Sequence, residues 1–114
     1  MFNENTSNAP SLSNEQKDKY KELWNGLSED SRKLLISSAH FSENTGGKRE
    51  AVIAVSGLQP EEFNNSESEL LGLGLMEIGY APGVPVREGL DVSDRRRLPA
   101  TVKQYILQEI VKVK

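Results

Sequence analysis

The sequence contains no cysteine. That excludes a disulfide framework, a thiolate nucleophile and a cysteine-ligated zinc site. It has a single histidine, His40, and no second imidazole with which to build a metal or acid–base pair. No apolar run approaches the roughly 18 residues of a membrane span. The opening "MFNENTSNAPSLSN" has neither the basic start nor the apolar stretch of a secretory signal. A cytoplasmic protein is expected on these grounds, with no membrane partner. No Gly-x-x-x-x-Gly-Lys-Ser/Thr occurs anywhere. The nearest fragment, "TGGKRE" (45–50), lacks the first glycine and the hydroxyl residue after Lys48. No cofactor and no small-molecule substrate are expected.

Net charge is also low, at −3 over 114 residues, but it is unevenly spread. Residues 58–79 hold five glutamates and no lysine or arginine, while 80–114 hold seven cations against four acids. An acidic middle is followed by a basic C-terminal third, and any nucleic-acid contact would have to use the latter.

The chain is long enough for one domain around one core. Residues 1–12 are rich in Asn, Ser, Thr and Pro and read as a disordered tail, leaving 13–114 as the domain. Ser13 with Gln16 forms a capping box for a helix from Asn14 to about Asn25. Its Tyr20, Leu23, Trp24 and Leu27 share one face, with Trp24 expected in the core. Gly26 stops that helix. Ser28 caps the next, which runs to about His40 with Leu34, Leu35, Ser38 and Ala39 inward and Ile36 to one side. "FSENTGGK" reads as a loop. "REAVIAVSG" is a short third helix suited to close packing between other helices and ended by Gly57.

Pro60 opens a fourth helix with Glu61 and Glu62 in its first turn, and Phe63, Leu70 and Leu73 carry its apolar period. Gly74 follows its C-cap, where a left-handed backbone costs glycine nothing, and Leu75 folds back toward Leu70. The period then becomes two: Leu75, Glu77 and Gly79 against Met76, Ile78 and Tyr80. The 80–94 stretch, with "APGVPVREG", is a proline- and glycine-rich arm, and "DRRRLP" the return strand closed by Pro99. "ATVKQYILQEIVKVK" is a final helix with Val102, Ile106, Ile110 and Val113 on one face; Val111–Lys114 also suit a strand.

The resulting fold class is α+β, mostly α. The order of helices and strands is that of a winged helix (winged helix-turn-helix) with a two-stranded wing and extra N- and C-terminal helices.

The segments "LSEDSRKLL" (27–35), "AHF" (39–41), "LMEIG" (75–79) and "RLPATVKQYI" (97–106) carry a narrower likeness. Together they resemble the winged-helix segment of STAND-type signalling ATPases, the group that includes NB-ARC proteins. The resemblance implies a non-catalytic interaction or regulatory module that binds a protein, with an ATPase domain as one candidate partner. Many members carry a nucleotide-sensing histidine after the return strand, in a Met-His-Asp-like motif. Pro99 stands at the matching position, so nucleotide sensing by this chain is not expected.

The outward positions of the fourth helix should be Glu61, Glu62, Asn64, Asn65, Ser68 and Glu69. Asn64 and Asn65 suit adenine edges, but three glutamates would face a duplex with one charge per roughly 1.7 Å. The basic candidates are Arg87 on the arm, Arg95, Arg96 and Arg97 on or before the return strand, and Lys103 on the last helix. Alternation puts Arg95 and Arg97 on one face and Arg96 on the other. These residues admit three readings: a protein contact, a DNA-binding regulator led by the wing, or a solvated edge strand guarded by charge. Leu71 lies off the core stripe and should sit partly outside, near Leu12 or Val84, whereas Glu67 falls where the stripe expects an apolar residue.

Overall fold

The computed structural model describes residues 12–112. The expected tail therefore lies outside the described residues except for Leu12, which is half-buried against the core rather than loose. Val113 and Lys114 also fall outside.

Helix α1 (Asn14–Asn25) begins with the expected capping box: Gln16 N–H donates to Ser13 Oγ at 3.1 Å and Ser13 N–H to Gln16 Oε1 at 3.0 Å. Tyr20, Leu23 and Trp24 turn toward the core, but none is fully buried. Trp24 thus seals an edge of the core rather than filling it, and the Arg32 guanidinium lies 5.4 Å from its ring centroid.

Helix α2 (Glu29–Ser38) is the central element. Ser28 caps it through Ser31 N–H at 3.2 Å, and it buries Leu34, Leu35 and Ser38, with Ala39 buried just beyond. It ends two residues before the expected His40, which is exposed. α2 packs against both α3 (Arg49–Ser56) and α4 (Pro60–Gly72). α3 was expected to sit between helices, yet only Val52 is buried and Val55 is 53% exposed. The reason is that α3 has α2 on one side and the sheet on another, and solvent on the rest.

The segment read as a loop holds a strand. Residues 42–46 form a tight turn closed by Gly46 N–H to the Ser42 carbonyl at 2.8 Å, and β1 (Gly47–Lys48) follows. It pairs antiparallel with β3 (Arg95–Arg97), which also pairs antiparallel with β2 (Glu77–Ile78). The sheet has three strands in the order β1-β3-β2, so the return strand is the middle one, not an edge of a two-stranded wing. Two residues carry no periodicity, which is why β1 could not be read from pattern. Glycine is required there by space: a Cβ on Gly46 would sit 2.2 Å from the Arg96 carbonyl oxygen, with φ at +64° as well.

α4 starts at Pro60 as expected, and buries Phe63, Ser66 and Leu70. Leu73, expected on the core period, is 44% exposed because the helix terminates there. Gly74 has φ +75°; Leu75 N–H donates to Leu70 O at 2.9 Å and Gly74 N–H to Leu71 O at 3.1 Å, the paired bonds of a Schellman stop. Leu75 and Leu70 are both buried in one cluster, whereas Leu71 is half-buried against it and so partly outside, as expected. The expected alternation after Leu75 does not occur. Leu75 and Met76 are both buried, and Glu77 and Ile78 both exposed, because the chain leaves the cap through the core before it reaches the sheet edge.

Residues 80–94 form the proline- and glycine-rich arm. It is tied down by Ala81 N–H to Asn44 O at 2.8 Å and turned by Leu90 N–H to Arg87 O at 3.0 Å. Helix α5 (Ala100–Tyr105) follows Pro99 and runs into a π-helical turn, Ile106–Ile110, closed by Val111 N–H to Ile106 O at 2.8 Å. Val102 and Ile106 are inward as expected, and so is Tyr105, which the expected face omitted. No helix among the described residues is long and apolar enough to cross a membrane.

Two measurements check this packing. Gly46→Ala should lower stability by about 3 kcal/mol in urea unfolding, since it demands both a strained φ and a displaced strand. Tyr105 lies buried with its ring 5.6 Å from that of Tyr20. Burial, and then the charge of Glu109, raise its phenol above the ordinary tyrosine value. The folded chain holds that proton more tightly than the unfolded chain, so this contribution is complete below the unfolded value and lost as pH rises through the folded one. An absorbance titration should show a late-ionising tyrosine that disappears in Tyr105→Phe, together with part of the alkaline loss of stability.

Candidate interaction surface

The outward face of α4 presents the residues its period predicts. Glu61, Glu62, Asn64, Asn65, Ser68 and Glu69 are all exposed. Several are already engaged locally. Glu62 accepts from Gln59 N–H at 2.9 Å and so caps its own helix. Asn64 Oδ1 accepts from Arg49 Nη2 at 2.5 Å, while the Arg49 guanidinium lies over the Phe63 ring, 5.2 Å from its centroid. Glu69 reaches back to the start of α2, where Ser31 Oγ and, at 3.5 Å, Ser28 Oγ donate to it. Glu61, Asn65 and Ser68 stay open to solvent. A shallow polar groove runs between the N-terminus of α2 and α4, lined by Ser28, Asp30, Ser31, Glu62, Asn65 and Glu69. Such a surface accepts hydrogen bonds and attracts cations.

The basic candidates do not form a common surface. Arg96 and Arg97 are 9% and 6% exposed. Arg96 Nε donates to the Glu67 carboxylate of α4, and its Nη1 to Ser93 O at 2.9 Å. Arg97 Nη2 meets Glu77 Oε1 at 2.5 Å and its Nε donates to Gly79 O at 3.1 Å. Arg95 is half-buried, with its guanidinium 6.0 Å from the Tyr80 ring centroid and Nη1 donating to Gly46 O at 3.4 Å. Lys103 Nζ donates to Phe41 O at 2.9 Å, closing the loop after α2 rather than facing out. Of the five expected cations, only Arg87, on the arm, is exposed.

This corrects the expectation that Arg95 to Arg97 lie on an exposed edge. β3 has a strand on each side, and arginine tolerates such cover when its charge and donors are matched. Glu67, which falls where the α4 stripe expects an apolar residue, is covered and holds Arg96. A glutamate at an apolar position of the α4 stripe was the one available sign of a buried partner, but nothing in the sequence said which cation it would meet.

His40 is exposed, and no group of three His, Cys, Asp or Glu residues could hold a metal ion among the described residues. Asp91, on the arm, is held below the ordinary carboxylate value by the Ser93 hydroxyl and then by the Ser93 backbone N–H, at 2.6 and 2.9 Å. That is a turn stabilised by a carboxylate.

The two ion pairs predict unequal costs. Glu67→Leu should lower stability by about 3 kcal/mol in urea unfolding, because Arg96 would stay covered and unpaired; Glu67→Leu with Arg96→Leu should recover most of it. Glu77→Gln should cost less, about 1–2 kcal/mol, because the amide oxygen still accepts from the covered Arg97.

No protein-family model, curated protein or solved structure matches this chain.

Proposed function

We propose that the chain is a winged-helix module without catalytic activity that binds a protein through the outward face of α4. The topology supports the fold: α2, β1, α3, α4, β2 and β3 follow in winged-helix order, and α3 and α4 are joined by the three-residue turn Gly57–Gln59. The sheet order β1-β3-β2, with the 80–94 arm between β2 and β3 as the wing, agrees with it.

The observation that carries the function is the charge at that face. In a DNA reader the second helix of the pair enters the major groove and cations meet the phosphates. Here that helix exposes Glu61, Glu62 and Glu69, while the buried Arg96 and Arg97 spend their charge on Glu67 and Glu77. Duplex DNA would meet like charge on the helix and a single fully exposed arginine, Arg87, on the wing. A protein partner with a basic or donor-rich surface fits better, in keeping with the likeness to signalling-ATPase winged helices. Under this reading an ATPase domain is one candidate partner, and the cell's cytoplasm the expected compartment.

The test is an NMR titration of the labelled chain with a random-sequence duplex at low and then moderate salt. Backbone signals of Arg87, Arg49 and α4 should stay in place. Shifts that appear at low salt and fade as salt rises would replace this reading with wing-led DNA binding. For a partner recovered by cross-linking at α4, the double substitution Glu61→Lys, Glu62→Lys should slow association about tenfold.

A further inference from the structure

Helix α1 is attached differently from the other long helices. It buries none of its residues, whereas α2 buries five and α4 three. Tyr20 and Trp24 lie across a narrow apolar crevice from Leu35, Leu75, Val102, Tyr105 and Ile106, so contact between the helix and the surface beneath it is incomplete. A gap of that kind forfeits dispersion contacts on both walls.

Among the described residues the ties are few: beside the Tyr20 ring against that of Tyr105, they are polar contacts at the helix edges. The Tyr20 hydroxyl and Thr101 Oγ1 are 2.7 Å apart. Lys17 Nζ stands 4.0 Å from Glu109 Oε2, with both side chains well exposed to solvent. Arg32 of α2 holds the last turn, with Nε to Trp24 O and Nη2 to Asn25 O, each at 3.0 Å. Free energies of local opening follow the buried contact of the unit that opens. Those ties and half-buried rings set α1 at the low end of the fold.

We infer that α1 is a cover that opens as a unit from an apolar groove formed by α2, Leu75 and α5, and that α1 itself is the groove's resident occupant. Opening leaves the α2–α3–α4 core and the sheet intact and bares Leu35, Leu75, Val102, Tyr105 and Ile106, the apolar residues that Tyr20 and Trp24 face. Arg32 is the hinge pin: it belongs to α2 yet grips both the backbone end of α1 and the Trp24 ring. This surface is separate from the outward face of α4, so the inference does not rest on the proposed function.

Amide hydrogen exchange on the full chain tests it. Amides of residues 19–25 should exchange at least about tenfold faster than those of residues 63–70, through an opening that leaves α2 and α4 protected. Tyr20→Phe removes only the hydroxyl tie and should speed α1 exchange roughly two- to tenfold with α4 unchanged. Arg32→Ala should act in the same direction on the same amides. The inference fails if wild-type α1 amides exchange at the rate of α4. It fails equally if the two substitutions leave α1 rates unchanged or accelerate α1, α2 and α4 together.

Discussion

The contact between Arg96 and Glu67 joins the two halves of this molecule. Glu67 lies on α4 and Arg96 on the middle strand, so one ion pair ties the helical layer to the sheet. The strand itself poses a separate problem. Three consecutive arginines give β3 no chemical register of its own, since a slip by one residue puts an arginine where an arginine was. In most strands the apolar alternation penalises such a slip. Here the flanking Leu98 does it: a slip one way sets Arg97 into the apolar site of Leu98, and a slip the other way sets Leu98 against Glu77. The first slip would leave a covered charge without its counter-ion, which is far more costly than a lost surface pair.

That arrangement decides what the surface carries. The acidic run 58–79 and the basic run 80–114 appear as two patches along the chain, and the fold sets part of one against the other. Glu67 is matched inside by Arg96, Glu77 holds the buried Arg97 from the surface, and what remains outward on α4 is Glu61, Glu62 and Glu69 with amide and hydroxyl neighbours. The cation at this face is engaged as well, Arg49 with Asn64 and Phe63. The proposed preference for a protein over a nucleic acid follows from this internal cancellation more than from the net charge.

The close approach of β1 to β3 imposes a second constraint. Gly46 and Gly47 allow the turn after α2 to lie on the Arg96 backbone and the Phe41 ring; a side chain at Gly46 would push the strands apart, and one at Gly47 would strike that ring. The third strand, the seat of α3 and the anchoring of the arm by Ala81 on Asn44 all depend on that approach. α1 depends on none of it, which is consistent with a helix held by edge contacts alone.

Local chemistry was legible in the sequence wherever a residue acts on its own neighbours. Ser13 and Gln16, Ser28, Pro60, and the Gly74 stop each work within one turn of backbone, and the helices they bound stand where that chemistry puts them. The outward face of α4 was legible for the same reason, since a helical period places it without reference to anything else. What only tertiary structure decided was each feature that needs a distant partner: β1, whose two residues exist as a strand because Arg95 and Arg96 lie beside them; the failed alternation at Leu75 and Met76, both drawn into the core; and the burial of Arg96 and Arg97. A charge in sequence is only a side chain that must be matched. Whether water or a carboxylate 29 residues away matches it depends on which strand lies in the middle of the sheet, and no short-range pattern encodes that.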